Sequence, residues 1–174
     1  WVRYIRTGSS IFSAMLVSLP SSGNPVGWYT VNTDGTVFFR LPINDPSDVV
    51  WSPDGAYFVY THRRMPGARP NDTDISVMHS DSSNKILLTD DRASDSQPAW
   101  SPNGKQIAFV SDRDGSQEIY VINIDGSNLR QLTKRFGSNT NPSWSANGQK
   151  IFYDSGGRKY VMNSDGSDQQ EYKP

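Results

Sequence analysis

Short apolar or alternating runs, each stopped by Pro, Asn, Asp or Gly, succeed one another along this chain. The clearest stretch is residues 98–133. Pro98 to Trp100 is a brief extended run closed by Ser101-Pro102-Asn103-Gly104. Gln106 to Ser111 and Glu118 to Asn123 follow, separated by Asp112-Arg113-Asp114-Gly115, and Asp125-Gly126 leads into Asn128 to Leu132. β-Branched and aromatic residues fill the runs, and turn formers sit between them. The pattern predicts a four-stranded antiparallel meander. No segment sustains a 3.6-residue apolar period, which argues against helices.

The same pattern recurs. Trp-Ser-Pro-Asp-Gly begins at Trp51, Trp-Ser-Pro-Asn-Gly at Trp100 and Trp-Ser-Ala-Asn-Gly at Trp144, spaced 49 and 44 residues apart. A second series sets Asp34, Asp81, Asp125 and Asp165 after a hydrophobic strand at spacings of 47, 44 and 40. Two motif series in one phase define four units, about 1–47, 48–96, 97–140 and 141–174, forming a single domain. Unit two reads as strands Asp48 to Trp51, Ala56 to Thr61, Ile75 to His79 and Lys85 to Thr89. Unit four reads as Asn141 to Trp144, Lys150 to Asp154, Lys159 to Asn163 and Gln169 to Tyr172. Unit one is degenerate: Val2 to Arg6, Ser13 to Leu19, Trp28 to Asn32 and Val37 to Leu41, with Gly8-Ser9-Ser10 at the turn. Four strands per period of 40–50 residues are the signature of β-propeller blades. One meander cannot bury both faces alone, whereas neighbours stacked around an axis can, with a Trp filling each interface.

Residues 98–133 resemble the TolB-type β-propeller repeat, PxWSPDGKxIAFxSDRxGxxxIYxMNxDGxxxxxLT; unit four is similar to it, unit two less so and unit one weakly. The resemblance implies an all-β propeller of about four blades and a periplasmic or extracellular location. TolB itself is similar to a six-bladed propeller behind an α/β domain, and only four units are visible here. Four could close as a small ring, form an arc of a larger one, or pair with a second copy. An excerpt, or an arc covered by partners, is expected over a closed ring, because an open arc exposes sheet faces and edges.

Composition narrows the classes. Hydrophobic residues make up 34% and aromatics 11%, which suits short half-exposed strands with large side chains at the few buried positions. A net charge of −1 supplies no basic footprint for nucleic acid. Without cysteine there is neither disulfide nor thiolate metal site. The apolar run Ile11 to Leu19 is too short to span a bilayer and carries Ser13 and Ser18, so it reads as a strand. The chain opens at Trp1 without an initiator Met, as a processed or excerpted chain would.

Candidate chemistry falls on one rim. The Ser-Pro-x-Gly and Asp-Gly turns share one end of each meander and are nearly uniform; the middle loops and unit connections share the other end and vary. The longest variable loop runs from His62 to Asp74, with His62, Arg63, Arg64 and Arg69 ahead of Asp72 and Asp74. Its arginines suit carboxylates or phosphates of a partner, although a solvated insertion has the same composition. Asp90, Asp91 and Arg92, then Lys134, Arg135 and Phe136, then Asp45 and Asp48, share that rim. Asp112 and Asp114 alternate as in a calcium loop but are too few to supply its oxygens. His79 takes the place of Asn32, Asn123 and Asn163, a turn position, and His62 has no partner fixed by sequence. No nucleophile-elbow, zincin, P-loop or dinucleotide motif is present. Trp51, Trp100 and Trp144 could stack on sugars, but their repeat-locked positions make them core.

No catalytic residue, cofactor or metal is expected. The reading is a non-catalytic scaffold that binds other proteins, a second copy among them, within an extracytoplasmic assembly. The alternative is the propeller portion of a prolyl-oligopeptidase-like hydrolase. Ligand binding in an axial channel has no support beyond the fold.

Overall fold

The computed structural model describes residues 12–17, 27–32, 37–40, 47–63, 72–134 and 137–173, the first three segments by backbone alone. Every described element is a strand. Strands β1 (Phe12–Val17), β2 (Gly27–Asn32) and β3 (Val37–Arg40) form one antiparallel sheet in that order. Unit two comprises β4 (Ser47–Trp51), β5 (Tyr57–Arg63), β6 (Thr73–His79) and β7 (Ile86–Leu87). Unit three comprises β8 (Asp95–Trp100), β9 (Gln106–Ser111), β10 (Glu118–Asn123) and β11 (Arg130–Gln131). Unit four comprises β12 (Asn139–Trp144), β13 (Lys150–Ser155), β14 (Arg158–Asn163) and β15 (Gln170–Glu171). Each of these three is a four-stranded antiparallel meander in sequence order. The proposed Val2 to Arg6 strand lies outside the described residues. The fourth strands are shorter than expected, with two paired residues each.

The Trp-Ser-x-x-Gly motif has one mechanical explanation in all three units. The Ser hydroxyl donates to the Asp or Asn two residues on: Ser52 to Asp54 at 2.6 Å, Ser101 to Asn103 and Ser145 to Asn147 at 2.8 Å. The same oxygen accepts the N–H that opens the next strand, from Tyr57, Gln106 or Lys150, at 2.9 Å each. The Gly closes the turn onto the Ser carbonyl at 2.9 Å with φ of 67–72°, a conformation that a Cβ disfavours.

A feature that the apolar pattern does not announce is a bulge in the innermost strand of units two, three and four. Register shifts between Ser47 and Val50, Ser96 and Ala99, and Thr140 and Ser143. Asp48, Gln97 and Asn141 sit there at φ of 51°, 53° and 54°. A bulge is where a strand tolerates Pro98 and Pro142.

The core is the space between sheets. Val59, Ile75, Val77 and Leu88 of unit two meet Trp100, Ile107, Phe109, Tyr120 and Ile122 of unit three. The reverse face of unit three, with Ala108, Val110, Ile119, Val121 and Leu132, meets Ile151, Tyr153 and Met162 of unit four. Strands β9 and β10 are therefore buried on both faces, whereas β13 buries only Ile151 and Tyr153 and β14 only Met162. Each interface is pinned by an indole: Trp100 Nε1 donates to the Val50 carbonyl at 2.9 Å, and Trp144 Nε1 to the Ala99 carbonyl at 3.1 Å. Bulge residues add a second stitch, Gln97 N–H to Asp48 Oδ2 at 3.3 Å and Asn141 N–H to Gln97 Oε1 at 2.7 Å.

Replacing Trp100 by Phe keeps the ring but strips Val50 of its donor. Urea unfolding should show a loss of about 1–2 kcal/mol. The same change at Trp144, which is only partly buried, should cost less.

Candidate partner surface and the latches beneath it

Register fixes which loops share a rim. Asp95 stands opposite Ser111, and Ser111 opposite Glu118, so the connection before β8 and the hairpin after β9 lie at one end of the sheet. Asn139, Ser155 and Arg158 occupy the same end of unit four. Asp90, Asp91 and Arg92 and, one unit on, Lys134 thus lie on the varied rim, with Asp90, Arg92 and Lys134 exposed. Arg64, Arg69, Arg135 and Phe136 are outside the described residues.

The long loop is shorter than its sequence suggests. His62 and Arg63 continue β5, paired with Asp74 and Thr73 of β6, so the loop proper begins after Arg63. His62 is no loop residue: its Nε2 lies 2.9 Å from Ser76 Oγ, its Nδ1 3.3 Å from the Arg63 carbonyl, and its ring 5.4 Å from Tyr60. A carbonyl can only accept, so Nδ1 carries the proton and Nε2 accepts from Ser76. Burial lowers the His62 pKa below 6.5, assisted by Lys85 and opposed by the Arg63 carbonyl. Ser76 is fully buried in mid-strand, so this Ser–His pair ties two strands rather than presenting a nucleophile. His79 keeps its turn role but with a new partner, Asp81 Oδ1 at 2.8 Å, where Asn123 and Asn163 reach Ser127 and Ser167.

Beneath the rim runs a polar latch that sequence reasoning missed. Asp95 is fully buried, and the Arg113 guanidinium lies 3.1 Å from both its carboxylate oxygens. Arg113 also pairs with Asp91 at 3.2 Å, donates through Nε to Ser111 Oγ at 2.8 Å, and lies 4.9 Å above the Tyr120 ring and 5.6 Å above Phe109. Burial raises the Asp95 pKa, with hydrogen bonds from Ser111 and Thr89 and the Arg113 charge pulling it back. The other charges of this hairpin are equally occupied. Asp112 Oδ1 accepts from the Ser94 N–H at 2.7 Å, and Asp114 accepts from the Tyr120 hydroxyl. Asp112 and Asp114 therefore serve two different structural bonds.

At the next interface the strand start is an amide, and the buried carboxylate belongs to unit three. Asn139 replaces Asp95 and donates through Nδ2 to Glu118 Oε2 at 2.7 Å, while Thr133 donates to the same carboxylate. The middle hairpin of unit four shrinks to Gly156-Gly157, both at positive φ, and supplies no counterpart of Arg113. The signal for the latch was Asp95 itself, a carboxylate at a strand start in register with the Ser before the Arg113 turn.

Arg113→Met leaves the Asp95 charge buried with hydroxyl partners alone and should cost about 3 kcal/mol at neutral pH. Asp95→Asn in that background should recover most of it, a strong non-additivity visible in a urea-denaturation cycle. His62 has a folded pKa below its unfolded value. It contributes stability that is full above pH 6.5 and falls as the pH drops through the folded value. His62→Gln should flatten that part of the stability–pH curve.

Comparisons with known proteins follow the geometry. The TolB beta propeller domain family matches residues 50–172. The chain is similar in fold to a putative TolB from Agrobacterium tumefaciens, at 24% identity and a TM-score of 0.69, over 92% of this chain and 59% of that one. TolB from Acinetobacter baumannii gives 23% identity and a TM-score of 0.69, over 94% of this chain and 41% of that one. A curated relative, dipeptidyl-peptidase 5 of Porphyromonas gingivalis, is 29% identical over 117 residues, 62% of this chain but 16% of its own length. The chain thus spans a small part of that peptidase and about half of the TolB structures. With its Trp-anchored meanders and this match over most of its length, the chain belongs to the TolB beta propeller domain family.

Proposed function

We propose that this chain is a non-catalytic propeller scaffold that holds protein partners, TolB-like, in an extracytoplasmic assembly. The observation that carries the reading is the division of labour within each unit. Apolar faces and buried latches lock the sheets together, and the rim where the loops differ carries exposed charges of both signs that change from unit to unit, whereas the charges of the uniform turns serve the same turn bonds each time. Asp90, Arg92 and Lys134, with Arg63 at the end of β5, are the proposed contact residues, joined by Arg64, Arg69, Arg135 and Phe136 from the same connections. Rim charges of this kind govern encounter rate and partner choice more than affinity. His62 and Asp91 support the surface from within, through Ser76 and Arg113.

A second reading is favoured by the likeness to dipeptidyl-peptidase 5. There the chain would be the propeller portion of a larger hydrolase, with the same rim turned toward a catalytic domain elsewhere in the polypeptide.

A photo-cross-linking residue at Asp90, Arg92 or Lys134, in cells producing the full-length protein, separates the two. Adducts to a different polypeptide from rim positions, and none from the uniform-turn position Asn103, are expected. Adducts confined to a peptide-hydrolysing domain of the same polypeptide would overturn the scaffold reading in favour of the second.

A further inference from the structure

Residues 52–55, 101–104 and 145–148 form the same turn, but its third residue is Asp54 in unit two and Asn103 or Asn147 in units three and four. In each copy the turn uses one side-chain oxygen. Oδ1 accepts from the Ser hydroxyl at 2.6–2.8 Å and from the backbone N–H two residues on, that of Ala56, Lys105 or Gln149, at 3.0–3.1 Å. The turn asks for an acceptor and makes no use of the amide nitrogen. Asn147 Nδ2 reaches Gln149 Oε1 at 3.2 Å on the surface, outside these bonds. A carboxylate serves at least as well. The Ser52–Asp54 bond is the shortest of the three, and the Ser52 hydroxyl, with the Ala56 N–H, holds the Asp54 carboxyl below its ordinary pKa.

Each of these asparagines is followed by a glycine, Gly104 or Gly148. A Cβ at Gly104 would meet nothing within 4 Å, so no side chain shields the peptide nitrogen after Asn103; at Gly148 the nearest atom is Pro102 Cδ at 3.6 Å. Asn103 and Asn147 are both exposed, so water reaches them. The two hydrogen bonds donated to Oδ1 stabilise the charge that develops on that oxygen when the side-chain carbonyl is attacked, as oxyanion-hole donors do. One contact opposes the attack. The Gly104 N–H is donated to the Ser101 carbonyl and the Gly148 N–H to the Ser145 carbonyl, at 2.9 Å each. That bond must open before the nitrogen can react, and a single bond in an exposed hairpin opens at small cost.

We propose that Asn103 and Asn147 are sites of spontaneous deamidation in the folded chain, with water as co-reactant, and that the turn accepts the resulting aspartate in place. The Gly104 nitrogen gives its proton to solvent and bonds to Asn103 Cγ. The Cγ–Nδ2 bond breaks, and that nitrogen takes a proton from water and leaves as ammonia. Water then opens the cyclic imide. Cleavage of the new Cγ–N bond gives aspartate, and cleavage of the former backbone C–N bond gives isoaspartate. Nothing is oxidised or reduced: an amide and water become an acid and ammonia. Asn147 and Gly148 follow the same steps.

The two products meet different fates. Aspartate restores the acceptor that Asp54 supplies in unit two, so the turn closes again. Isoaspartate lengthens the backbone of the turn by a carbon and cannot close Gly104 onto Ser101. Each aspartate adds a negative charge to the end of the sheets that already carries Asp54, Asp81, Asp125 and Asp165. The uniform-turn end therefore grows more acidic as the protein ages. This modification is independent of the scaffold reading and involves none of the proposed contact residues.

The test is to incubate the intact folded chain at physiological temperature and mildly alkaline pH and to follow it by peptide mapping with mass spectrometry. The capped peptide Ser-Pro-Asn-Gly-Lys, the sequence of residues 101–105, runs beside it. Conversion is expected at Asn103 and Asn147, about tenfold slower than in the peptide, the cost of releasing one hydrogen bond. Asn128, exposed but followed by Leu129, should stay intact over the same period. Asn103→Asp should match the parent in urea unfolding and keep the Gly104 and Lys105 amides protected from exchange. Conversion of Asn128 at the same rate would overturn the proposal. So would conversion of Asn103 and Asn147 at about a hundredth of the peptide rate or less, which would mean that the fold shuts the reaction off. Lost stability or lost amide protection in Asn103→Asp would show that the turn needs its amide, and would overturn it as well.

Discussion

A four-stranded antiparallel meander has two faces, and side chains that alternate across it make one of them unsealed in isolation. Everything in this structure answers that constraint. Unit three, with β9 and β10 buried on both sides, shows the solution in full: its two faces are filled by different neighbours using the same positions. Apolar burial at about 25 cal/mol per Å² supplies the driving force but carries no direction. The indoles of Trp100 and Trp144, each donating to one carbonyl of the preceding unit, set the distance and the angle at which the faces meet.

Polar groups at the rim end of each interface complete the seal, and two chemically different answers coexist. Between units two and three a buried carboxylate is matched by Arg113; between units three and four an amide, a hydroxyl and the Glu118 carboxylate share their hydrogen bonds. Both interfaces therefore bury a carboxylate, Asp95 matched by a guanidinium and Glu118 by an amide and a hydroxyl.

The repeat and its strands were legible because the period-two pattern and the turn chemistry point the same way. β9 and β10 are where the pattern placed them, and the Ser, Asx and Gly of each motif perform the turn bonds that such residues favour. Three things were less legible. The bulges at Asp48, Gln97 and Asn141 escape a pattern analysis because a non-glycine residue at positive φ leaves no compositional mark. His62 and Arg63 read as loop in the sequence because polar residues at a strand end resemble one, and only pairing with Thr73 and Asp74 shows otherwise. The role of Arg113 is invisible in the sequence because its partners, Asp91 and Asp95, are near it only after unit three has folded.

The stitch through the bulges runs one way. Asp48 accepts from Gln97, and Gln97 in turn accepts from Asn141, so unit three gives its backbone N–H to the unit before it and offers its side chain to the unit after. The two faces of a unit are therefore a head and a tail, and a head cannot substitute for another head. Copies joined through such surfaces are heterologous neighbours, not mirror partners across one shared patch. They close into a ring when the turn per unit divides the circle, and otherwise grow as an open spiral.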